Sequence, residues 1–193
     1  MRSFLAILLL IVVAPLAACN DSVFLQPPAL LADTLVLAVP APDDTLPSAI
    51  DVSSMALGSG FGRFPERAAD AQEWDLTVRK QGDSLVFVPA GTLGILAPTG
   101  AVSRAGITQA MNRSFGQVIE APGNSSFDDS TAVAIEQGAV YVARSRSSLN
   151  VYGGSCENYA KLQPLAVDPT LGRVTLYVVT NTNCGDPRLV EKD

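Results

Sequence analysis

Residues 73–89 read EWDLTVRKQGDSLVFVP, and this stretch decides the fold class. Trp74, Leu76 and Val78 alternate with Glu73, Asp75, Thr77 and Arg79. A period of two puts the apolar set on one face of an extended chain, as in a half-buried strand. Gly82-Asp83 interrupts the alternation, residues 85–88 resume it, and Pro89 ends it. Two such runs joined by Gly-Asp predict a β-hairpin. Trp74 is expected as the central core aromatic, with a ligand-stacking platform as the alternative. Asp75 and Arg79 are expected on the outward face, as are Arg144 and Lys161 further on, solvated or in cross-strand pairs.

The same signal recurs on both sides. GAVYVAR (138–144) and LGRVTLYVVT (171–180) are rich in Val, Tyr and Thr, which suit a pleated surface. NYAKLQPLAV (158–167) is a shorter strand, and Asp168-Pro169 with Gly172 supplies the turn after it. Residues 35–39 form a first strand, and 94–107 and 131–136 are weaker candidates. Helix is confined to two short segments, 65–72 after Pro65 and 108–115. Many short strands with regular turn signals predict an all-β fold, an antiparallel sandwich or open barrel with few short helices.

The 193-residue chain opens with Arg2, an apolar run over 4–13 and small residues up to Ala18. That order describes a signal peptide over 1–18, and the run is shorter than a membrane span requires. Leu16-Ala17-Ala18-Cys19 resembles the lipobox of bacterial lipoprotein precursors. The resemblance implies that Cys19 carries the lipids and holds the protein to a membrane. Asn20 follows in place of the aspartate of the best-known inner-membrane retention signal, so the outer membrane is the expected location. Residues 19–33 read as a proline-containing tether and 34–193 as one β-rich domain. Cys156 and Cys184 are then the remaining thiols in an exported chain and are expected to form a disulfide; a metal or redox pair is the alternative.

The net charge of −6 without a basic cluster argues against nucleic acid as a partner. The absence of histidine removes Ser-His-Asp and Cys-His catalysis together with the commonest zinc and haem ligand. No catalytic or metal-binding set is singled out. Asp128-Asp129 lacks the regular oxygen spacing of a calcium loop and reads as solvated.

Trp74-Asp75-Leu76, Gly91-Thr92-Leu93-Gly94, Tyr159-Ala160-Lys161-Leu162, the Gly172-led strand and Arg188-Leu189 follow an order that resembles the HmuY-type haem-binding surface lipoproteins. The similarity runs from about residue 48 to 190. It implies an all-β fold and a ligand cleft between the sheets, with haem as the implied cofactor. The family's histidine pair is missing. Met55 and Met111 are the remaining candidates as soft axial ligands, or else flexible gap-fillers at a core edge. Tyr141, Tyr152, Tyr159 and Tyr177 carry phenol oxygens that can ligate ferric iron, although Tyr141 and Tyr177 lie in strand runs and read as packing residues. Three functions follow as expectations. The first is a non-catalytic binding module for haem or another apolar ligand, served by an outer-membrane receptor. The second is an envelope adapter that binds another protein, and the third an envelope hydrolase using carboxylates. The first leads.

Overall fold

The structure, a computed structural model, describes residues 27–41, 44–53, 60–149 and 153–190. The segment 1–18 expected as a signal peptide, Cys19, Met55 and Tyr152 lie outside the described residues. The fold is all-β and antiparallel. Among the described residues twelve strands follow in chain order: β1 (Leu30–Ala38), β2 (Ala49–Ile50), β3 (Gly62–Arg63), β4 (Leu76–Gln81), β5 (Ser84–Pro89), β6 (Gly106–Gln109), β7 (Val133–Ala134), β8 (Tyr141–Arg144), β9 (Ser148–Leu149), β10 (Ser155–Cys156), β11 (Tyr159–Asp168) and β12 (Arg173–Asn181). The first sheet has the order β1-β12-β11-β8-β6 and the second β3-β2-β4-β5-β7, while β9 and β10 form a small separate ribbon.

The opening stretch forms the expected hairpin. β4 and β5 pair from Leu76↔Pro89 to Gln81↔Ser84. Gly82 takes a φ of 60° while Asp83 keeps an ordinary one, the pattern of a two-residue type II′ turn. Leu76, Val78, Leu85 and Phe87 meet Ile107, Tyr141, Leu162 and Leu176 in the main core. Phe87 and Tyr141 sit edge to face across it at 5.6 Å. Tyr141 is a packing residue, and its hydroxyl donates to the Ala134 carbonyl at 2.8 Å.

Trp74 is buried, but away from the centre. It packs with Ala49, Ala90 and Ile95 in a satellite cluster, and its indole N–H donates to the Ala71 carbonyl. Neither short helix forms. Residues 64–73 close as three successive four-residue turns, Arg67 N–H to Phe64, Asp70 to Arg67 and Glu73 to Asp70. Eight residues are too few to repay the cost of helix nucleation. In 108–115 the first two residues belong to β6, and Asn112 at φ 59° breaks any helix. Of the weaker strand candidates, 94–107 yields an isolated Leu96↔Val102 bridge and then β6, and 131–136 yields β7. β1 begins at Leu30, four positions before the expected domain start.

The largest departure concerns charge. Arg79 is exposed as expected, but Asp75, Arg144 and Lys161 are buried. Asp75 joins Asp51, Arg63 and Arg146 in a buried ion network on the face of β4 away from the main core. Arg146 reaches Asp75 at 3.2 Å and Asp51 at 3.0 Å, and Arg63 lies 3.5 Å from Asp51. Asp75 also accepts the backbone N–H groups of Val52 and Arg146, each at 2.7 Å. The period of two was right about β4's core face. Its other face is covered by chain that returns from far away in sequence.

Cys156 and Cys184 form a disulfide with a Cα separation of 5.2 Å. It joins the approach to β11 with the exit of β12, two antiparallel neighbours in register at Tyr159↔Asn181.

Candidate binding site

Alternation along the first sheet sends Tyr141, Ala143, Ala160 and Leu162 into the main core. It sends Val142, Arg144, Tyr159 and Lys161 to the opposite face, which a strap over residues 113–128 crosses. Val118, Ala121 and Phe127 of this strap close a second core over Val142 and Tyr159, with Leu189 of the C-terminal tail. The tail holds the strap along its length: the Ala121 N–H donates to the Pro187 carbonyl and the Leu189 N–H to the Ile119 carbonyl, both at 2.8 Å.

Two buried cations pin the strap from beneath. The Lys161 ammonium donates to the carbonyls of Phe115 and Val118, each at 3.3 Å, and lies 4.5 Å from the Phe115 ring centre. Burial pushes its pKa below the ordinary lysine value. The Arg144 guanidinium donates to the Arg104 carbonyl at 2.7 and 3.2 Å and to the Asn124 carbonyl at 3.4 Å, stacked near the Phe127 ring. The Tyr159 hydroxyl donates to Asn124 Oδ1 at 3.2 Å. Lys161 satisfies two strap carbonyls, and Arg144 satisfies one strap carbonyl together with that of Arg104 ahead of β6, acceptors that would otherwise be left unpaired under cover.

The main core fills the space between the sheets where a ligand cleft was expected, and an open cleft of about 490 Å³ lies instead between the strap and β6. Val118, Ala121 and Val142 supply an apolar floor, and Thr108, Arg113 and Glu120 put hydroxyl, cation and carboxylate at its margin. Such a site can bury an apolar body while a polar end stays at the edge. No local pattern points to it, because the cleft residues contributed by β6, β8 and the strap share no spacing.

The expected ligand residues do not converge on it. Met111 sits in the turn after β6, next to the cleft-lining Ala110, but is 67% exposed. It therefore fills no gap at a core edge either. Met55 is outside the described residues, and the ends of its segment, Ser53 and Gly60, are bound at the ion network through Asp51 and Arg63. Tyr177 packs against Phe115 with ring centres 5.2 Å apart. The chain has no histidine, and the described residues assemble no axial pair for a haem. Among those residues no three Asp, Glu or Cys side chains converge as a metal site would need. Asp128 instead organises its own turn through Ser130 and Thr131, and the Thr131 hydroxyl holds its carboxyl below the ordinary value.

No protein-family model, no curated protein and no solved structure matches the chain. The likeness to HmuY-type lipoproteins therefore stands on the quoted motifs, and the cleft is read from its own chemistry.

Proposed function

We infer that this protein is a lipid-anchored envelope protein that binds a small amphipathic molecule in the strap cleft and catalyses nothing. The cleft carries the reading: an apolar floor with one cation and one carboxylate at its margin, under a strap fixed by buried lysine and arginine. Nearby Met111 would serve haem with one exposed thioether, so the ligand class favoured is an apolar body with an anionic end that meets Arg113. The lipobox at Cys19 supports attachment to the outer membrane, where an outer-membrane receptor could take the ligand onward.

The test is titration with an apolar anionic fluorophore, anilinonaphthalene sulfonate, beside ferric and ferrous haemin. Saturable probe binding is expected, weakened about tenfold by Arg113→Glu through loss of one favourable charge contact and gain of a repulsive one. Met111→Ala is expected to leave it unchanged. A Soret shift abolished by Met111→Ala would identify haem as the ligand. Probe binding indifferent to Arg113 would remove the cleft from the reading.

The adapter alternative has one observation in its favour. β1 lies at the edge of the first sheet with nine residues in unbroken register against β12, and carries no Lys, Pro or bulge. Such an edge can accept a strand from another protein.

A further inference from the structure

Residues 90–103 read AGTLGILAPTGAVS, fourteen positions without a charged side chain in a chain that is 17% charged. They connect β5 to β6 as an ordered finger. A 3₁₀ turn over Ala90–Leu93 ends at Gly94 in the left-handed region (φ 73°). A miniature hairpin follows, with the Ser103 N–H donating to the Ile95 carbonyl and the Ala97 N–H to the Ala101 carbonyl, both at 2.8 Å. The Gly100 N–H closes the tip onto Ala97, with Pro98 at the turn's second position and Gly100 at φ 81°. The base is locked by the Ala90 N–H to the Asp75 carbonyl and by Ile95 against Trp74.

This rigid finger presents its apolar side chains to solvent. Leu96 and Val102 are bridge partners, so they sit side by side on one face at 43% and 56% exposure, and Leu93 is 48% exposed. The first charge is Arg104, directly behind Ser103, and it lies 3.5 Å from Asp129. A folded loop normally places polar residues at such positions. Here the exposed large side chains are apolar, and the cation comes at the root.

Topology places the finger beside the chain's own anchor. At one end of the first sheet the partners run Leu30↔Asn181, Tyr159↔Asn181, Tyr159↔Arg144 and Gly106↔Arg144. The finger enters β6 at Gly106, and the segment from Cys19 enters β1 at Leu30, so both belong to this end. Four strand spacings separate them, about 19 Å. The ten residues between Cys19 and Leu30 reach at most about 36 Å. A lipid on Cys19 therefore brings this end of the sandwich, and the finger with it, within a tether's length of the bilayer.

We propose that the finger 90–103 is a second membrane contact, inserting Leu93, Leu96 and Val102 into the interface of a phospholipid surface while Arg104 stays at headgroup level. The proposal rests on the lipid-anchor reading for its orientation, and on the finger's own chemistry for its affinity. A single lipidated residue leaves a tethered domain free to tumble. An apolar finger at the tethered end would fix its attitude and hold the strap cleft at a set height above the membrane.

The mature, lipidated chain is to be placed in vesicles of phosphatidylethanolamine and phosphatidylglycerol containing spin-labelled lipid, with Leu96→Trp compared with Leu171→Trp. Leu171 is 65% exposed in the β11–β12 turn at the opposite end, and the native Trp74 is buried and shared by both variants. Quenching several-fold stronger at position 96 is expected; equal quenching, or none, overturns the proposal. The unlipidated Cys19→Ala chain tests the finger without the anchor: Leu93→Ser with Leu96→Ser and Val102→Ser should reduce its vesicle partitioning roughly tenfold. Unchanged partitioning overturns the proposal. A position-96 spectrum that shifts with protein concentration in the absence of vesicles also overturns it, because a second copy would then be the occupant. Absence of lipid on Cys19 by mass spectrometry would fail the anchor reading, while the unlipidated arm still scores the finger.

Discussion

Removing the carboxylate of Asp75 takes the acceptor from three donors at once: the N–H groups of Val52 and Arg146 and the Arg146 guanidinium. None of these is placed to recruit water, since Asp75 and Asp51 are almost wholly enclosed and Arg146 is 7% exposed. Asp75→Ala is therefore expected to cost about 3 kcal/mol, the cost of orphaned buried donors and a broken buried pair. Chemical denaturation measures it, with Asp83→Ala in the exposed hairpin turn as a control expected to stay within about 0.5 kcal/mol. A loss at Asp75 no larger than the control would mean that the network is not closed in solution. The alternation of residues 73–79 correctly buries Leu76 and Val78, yet it assigns Asp75 to water. Nothing local could correct this, because Arg146 arrives from 71 positions away. Lys161 and Arg144 escape a local reading for the same reason: the strap that covers them is distant in sequence.

Among the elements, legibility follows how local the determining contacts are. The β4–β5 hairpin is readable because the alternation and the Gly82-Asp83 turn both lie within the pair they specify. The β11–β12 hairpin is readable likewise, with Asp168 Oδ1 accepting the N–H groups of Thr170 and Leu171 in its turn. The strap over 113–128 has neither period nor propensity, with Gly116, Pro122 and Gly123 inside it. Its shape is imposed by the tail above and by Lys161 and Arg144 below, and so the cleft was invisible too. Lys161→Met keeps the length of the side chain but removes both donors, leaving the Phe115 and Val118 carbonyls without their partner. About 1–3 kcal/mol is expected to be lost. The loss should appear as faster amide exchange at Gln117 and Ala121, with β11 and β12 keeping their protection. Uniformly faster exchange across the sandwich would show that Lys161 supports the whole fold and is not a strap pin.

Across the whole molecule, the strand content was legible and the pairing was not. β1 pairs with β12, the first strand of the described chain with the last, and periodicity carries no address for a partner so distant. The disulfide was accessible because thiol arithmetic is non-local by nature. The same long-range closure sets how stability should vary with pH, through two carboxyls held in opposite directions. Burial would raise Asp186, but hydrogen bonds from Arg188 and Asn181 outweigh it and hold its pKa down to about 2. The unfolded chain takes up that proton near the ordinary 3.8, so the stability Asp186 contributes is complete above that value and is lost as pH falls toward 2. Asp75 behaves in the reverse sense. Burial is the largest influence, Arg146 opposes it, Asp51 adds to it, and the carboxyl stands at about 7. Its proton is released near 3.8 in the unfolded chain but kept to about 7 in the folded one. Its contribution is therefore complete below 3.8 and declines as pH rises through the interval to 7. The two together predict greatest stability at about pH 4, falling with the same one-proton slope on both sides, over the shorter interval toward pH 2 and the longer one toward neutrality. Thermal unfolding of the disulfide-intact domain between about pH 2 and 8 measures the curve. Asp75→Asn, which cannot ionise, should flatten the limb between 4 and 7 and leave the acid limb in place, whereas Asp186→Asn should do the opposite. A neutral-side decline that persists in Asp75→Asn would show that the carboxylate is ionised throughout and that Arg146 fully offsets its burial.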